Sequence, residues 1–236
     1  MVLDALAFPL RRDNAVFLAL GMALCSIPPA VAMLLPNLPY VGLMATLVEC
    51  VVLCYVLVYF HSVMEASTRG DERLPMWPDE ADLQNLAGQA FHVIVPFVLS
   101  FLPLIVFVVQ WVFRKGTWEM TPGALAAAGG LFAFGFLYLP MALLVFSFYG
   151  ELGVVNVVAV ARSIARIGRD YFVVSGLLMA LFLLHGAAAG AVAAARLPSL
   201  LLIPAGSLLF FYAMLVAMRA VGRLYAQHKE RLGWER

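Results

Sequence analysis

The chain is 236 residues long; 64% are hydrophobic, only 12% are charged, and the mean hydropathy is +0.96. An average soluble domain is about half apolar and about one quarter charged, so a secreted disulfide scaffold, a disordered chain and an ordinary cytosolic enzyme are excluded. The formal charge is only +1, and no basic excess points to nucleic acid.

A membrane-crossing helix needs about 20 mostly apolar residues. Six stretches meet that requirement: 15–35, 38–60, 91–113, 124–148, 171–195 and 199–224. A short amphipathic stretch, 2–10, precedes the first. That span is interrupted by Pro28 and Pro29, which a bundle tolerates where neighbours satisfy the freed carbonyls. Arg11, Arg12 and the Ala30-Val31-Ala32 run imitate a cleaved leader. The apolar run continues beyond that site, however, and the second span needs a partner crossing, so the segment reads as a retained span. Pro36-Asn37-Leu38-Pro39 turns the chain into the second span, which carries Glu49, Cys50 and Cys54.

A polar loop follows. Trp77 suits the headgroup layer, and Asp79 with Asp82 is placed to cap a helix whose face carries Leu83, Leu86, Ala87 and Ala90. The third span holds Pro96 and Pro103, and 114–123 leads to the fourth. Between the fourth and fifth lies a third amphipathic helix, 154–169, with Arg162, Arg166 and Arg169 on one side. Basic amphipathic helices lie in the interface and meet anionic headgroups. Arg196-Leu197-Pro198 joins the last two spans, and Arg219 and Arg223 end the sixth as snorkelling anchors.

The connections at 36–39, 114–123 and 196–198 fall on one side and hold three Lys and Arg; the other side holds twelve. Cytoplasmic loops carry the cationic excess, so both termini are expected inside a bacterial inner membrane. The fold expected is one all-α domain, 1–236: a polytopic bundle of six transmembrane helices in three hairpins with short interfacial helices.

The run Gly70-Asp71-Glu72-Arg73-Leu74-Pro75-Met76-Trp77-Pro78-Asp79 is the most distinctive in the chain. Near the end come Phe211-Tyr212, Arg219 and Gly222-Arg223-Leu224-Tyr225. This layout resembles a family of bacterial and archaeal multi-pass membrane proteins known only as a domain of unknown function, with an inside loop of the form G-[DE]-x-x-L-P-x-W and a late G-R-L-Y ending. The resemblance covers most of the chain. It implies a helical membrane protein of prokaryotic origin and carries no activity with it.

Glu49 stands near the middle of its span, where a charge costs at least about 2.5–3.5 kcal/mol. It is expected to face the bundle interior, protonated, paired or wet. His185, midway along the fifth span, could meet it, as a structural hydrogen bond or as a proton relay. Cys25, Cys50 and Cys54 read as small apolar residues, since they lack the spacing of a metal motif. Gly186 and Gly190 form G-x-x-x-G, which lets helix backbones approach closely, either within the chain or between copies. No G-x-S-x-G, H-E-x-x-H, P-loop or G-x-G-x-x-G pattern occurs.

The expectation is a non-enzymatic membrane subunit, without metal or cofactor, that scaffolds a complex. Its partners would be the bilayer and its anionic headgroups, a protein docked on the cytoplasmic face, and a second copy of itself. The alternative is a small transporter or channel using a polar site around Glu49 and His185.

Overall fold

A computed structural model describes residues 2–34, 40–78, 83–117, 119–150, 157–194 and 199–233. Among them are eight α-helices and no strand: α1 Val2–Ala7, α2 Ala15–Leu34, α3 Val41–Arg69, α4 Leu83–Lys115, α5 Pro122–Tyr149, α6 Val157–Ile167, α7 Arg169–Ala194 and α8 Ser199–Leu232. Two short turns of tighter helix, Phe8–Leu10 and Arg12–Asn14, link α1 to α2. Six helices are long and apolar enough to cross a membrane. The chain is an integral membrane protein of the all-α, polytopic kind.

Local chemistry explains the boundaries. Gly70 ends α3 with φ 90°, and its N–H turns back to Ser67 and Ala66 carbonyls; a side chain would be strained in that left-handed conformation. Thr121 caps α5, its hydroxyl accepting from the Ala124 N–H at 3.3 Å, with Pro122 in the first turn.

Two boundaries differ from the sequence-based expectation. The Pro28-Pro29 pair does not divide α2, which runs on to Leu34. The second amphipathic segment is not a separate interfacial helix: from Leu83 it is continuous with the third span, forming the 33-residue α4. The Asp79 cap and the turns at 36–39 and 196–198 lie outside the described residues.

The chain divides into two compact units. The first comprises Met1–Ala90 and Ala180–Gln227; the second comprises Phe91–Met179 and His228–Arg236.

In the first unit α3 packs on α8, and its core is aromatic. The Tyr59 and Trp77 rings stack at 4.0 Å, and Phe211 stacks on both at 6.1 and 6.0 Å. Gly21 of α2 sits directly on the Phe211 ring. At Gly222 of α8, a Cβ would come within 2.5 Å of the Met64 carbonyl and of Ser67, so only glycine allows this backbone approach.

In the second unit, Gly135 of α5 meets the Phe101 ring of α4, and Tyr171 of α7 donates to the Leu137 carbonyl at 2.5 Å. The amphipathic α6 buries Val160, Ser163 and Ile167. Arg166 donates to the Leu232 carbonyl at 3.2 Å, and His228 lies 3.3 Å from Asp170.

Candidate functional site

Within the first unit, α2, α3, α7 and α8 enclose an open cleft of about 490 Å³. Most of its wall is aliphatic, including Val52 and Val56 of α3 and Ile203 of α8. Into this apolar wall are set Glu49 and His185, the two mid-span polar residues that the sequence singles out.

Glu49 is therefore not packed in a dry core. It is exposed on α3, and among the described residues it makes no hydrogen bond or ion pair. His185 is half-buried, with its ring 5.9 Å from Phe210, and its Nδ1 is buried without a hydrogen-bond partner. The two residues share the cleft, but no hydrogen bond joins them.

Pro28 and Pro29 also line the cleft, beside Cys25. Proline has no N–H, so the carbonyls of Leu24 and Cys25 lose their usual helical donors four residues on. The other two cysteines lie on α3; Cys54 is half-buried and Cys50 is exposed, not buried as its apolar setting suggests.

The Gly186–Gly190 face behaves differently from the packing expectation. Among the described residues, nothing lies within 4 Å of a Cβ built on either glycine. The close approach that G-x-x-x-G permits is made instead at Gly21, Gly135 and Gly222.

A second polar constellation also lies in the first unit, and here the snorkelling reading of Arg219 is corrected. Arg219 does not snorkel; its side chain is 0% exposed. Its guanidinium lies 4.1 Å from the centre of the Phe8 ring and donates to Ser67 Oγ at 3.2 Å and to the Asp71 carbonyl. Nε and Nη2 have no hydrogen-bond partner. Asp4 is the shared counter-ion: 2.7 Å from Arg11, 3.9 Å from Arg223 and 4.0 Å from Arg219. Arg223 keeps a quarter of its side chain exposed. Trp77, expected in the headgroup layer, is half-buried against Tyr55, Tyr59 and Phe211, with its Nε1 buried. Arg162, Arg166 and Arg169 are exposed.

This junction unites the two segments that stand out in the sequence. The loop after Gly70 and the Phe211–Tyr225 region of α8 meet through Trp77 and Phe211 and through Arg219 and Asp71, while Gly222 packs on α3 just before that loop. Sequence reasoning missed the contribution of the N-terminal segment, where Asp4 and Leu6 of α1 and Phe8 of the turn after it complete the junction; Tyr212 donates to the Leu6 carbonyl at 2.8 Å. The available signal was an acidic residue, Asp4, in an otherwise apolar segment. Compared with protein-family models, curated proteins and solved structures, the chain matches none.

Proposed function

We propose that this integral membrane protein is a small transporter whose substrate site is the Glu49–His185 cleft. One observation carries the reading: an exposed mid-span carboxylate and an imidazole with a free ring nitrogen line one cleft of about 490 Å³. That volume lies in the range of small-molecule sites, which combine apolar walls with a few polar groups. A carboxylate held at this depth costs stability, so its retention in an open cleft suits a substrate or coupling-ion site. Such sites lie near the bilayer midplane in many carriers. The termini are assigned to the cytoplasm of a bacterial inner membrane from the distribution of cationic residues.

The scaffold reading is favoured by a different observation, the open Gly186–Gly190 face, which offers a smooth helix surface to another chain. The two readings differ in whether water enters the cleft. Cys25 lines it and serves as the probe once Cys50 and Cys54 are replaced by Ser, because thiol reagents attack the hydrated thiolate. A transporter in sealed vesicles should let a membrane-impermeant thiosulfonate reach Cys25 from each side in turn. A Cys25 that is silent from both sides would remove the transport reading and leave the scaffold.

A further inference from the structure

We infer that the occupant of the Glu49–His185 cleft is a lipophilic organic cation, held by charge at Glu49 and by apolar contact elsewhere. The inference rests on the small-molecule reading of the cleft and narrows it to one chemical class.

The lining makes the selection. Glu49 has no cationic partner among the described residues, so a bound ligand is left to neutralise it. Phe210 adds an aromatic ring, whose face attracts cations, most strongly where water is excluded. Cys25 lines the cleft, and its carbonyl, deprived of its helical donor by Pro29, is a further negative partial charge. His185 Nδ1, without a partner, can accept a hydrogen bond from an ammonium as a neutral imidazole.

Other classes fit poorly. An anion meets the carboxylate. A sugar or peptide would leave many of its polar groups unmatched against Val52, Val56 and Ile203, and an unmatched polar group is costly in an apolar site. A hard metal ion takes six or more oxygen ligands, and aliphatic walls do not supply them.

Two ions of matched size and opposite charge test this directly. Tetraphenylphosphonium and tetraphenylborate present nearly the same apolar surface, so their difference reports charge selection alone. Purified full-length protein in detergent should bind tetraphenylphosphonium saturably, one per chain, and tetraphenylborate no better than detergent alone. Glu49→Gln should weaken the cation by about tenfold or more, while Glu49→Asp should hold it within a few-fold. Equal binding of the two ions by the wild-type chain overturns the inference without recourse to any variant. So does cation binding that Glu49→Gln leaves unchanged. Binding in detergent needs no transport, so the inference can fail while Cys25 still reports a wet, alternating cleft. It can also survive when Cys25 does not.

Discussion

At the scale of single residues, the chain treats its intramembrane cation and anion in opposite ways. Arg219 is enclosed by Phe8, Ser67 and the Asp71 carbonyl, with Asp4 nearby, so its charge is spent on holding three segments together. Glu49 is left open in a cleft. Arg219→Met should therefore destabilise the protein by about 3 kcal/mol, because it removes two charged hydrogen bonds and a ring contact from a dry site. A fall in melting temperature in detergent checks this, and an unchanged value would contradict the burial described. Glu49→Gln should leave that melting temperature the same or raise it, since it removes the cost of an unpaired charge.

At the scale of helices, glycine separates packing surfaces from free ones. Gly222→Ala places a Cβ 2.5 Å from the Met64 carbonyl and Ser67. Relief requires α3 and α8 to part, at a cost of about 1–3 kcal/mol. Gly186→Ala meets open space, so it should not lower the melting temperature, and replacing a mid-helix glycine should if anything raise it slightly. Thermal scans of the two variants make the comparison. Blue-native electrophoresis of Gly186→Ile with Gly190→Ile adds a test of the scaffold reading: a dimer built on that face is lost, while the monomer remains folded.

The same contrast shows what the sequence could and could not convey. The helices were legible because a bilayer demands long apolar runs, and Glu49 and His185 because mid-span polarity is conspicuous. The spacing of Gly186 and Gly190 announces a smooth face without saying what meets it, whereas Gly222 carries no spacing motif and makes the tight contact. Arg219 was misread because a cation near the end of a span is usually an anchor. Its burial depends on Phe8 and Asp4, more than 200 residues away in the chain, and no local pattern reports such a pairing. The shared cleft likewise depends on four helices meeting, which depth along each span could suggest but not establish.

At the scale of the whole molecule, twelve cationic residues on one set of segments against three on the other predict that both termini face the cytoplasm. A reporter pair fused after Arg236 should be active as the cytoplasmic partner and silent as the periplasmic one; the reverse pattern would invert the topology. Cys25 chemistry then reads the cleft against that orientation.

The bond between Tyr212 and the Leu6 carbonyl spans 206 positions of the chain, and this has a consequence for biogenesis. Residues leave the ribosome in order, so α1 is made first and must wait for α8, the last helix to be threaded into the bilayer. Until then Phe8 lacks the Arg219 guanidinium and Asp4 lacks two of its three arginines. The Phe91–Met179 segment of the second unit is made in between, while its His228–Arg236 segment follows the first unit's share of α8. Closure of the first unit is thus a late, end-to-end event. A nascent chain stalled before Phe211 should show an N-terminal segment open to protease, and release of the full chain should protect it.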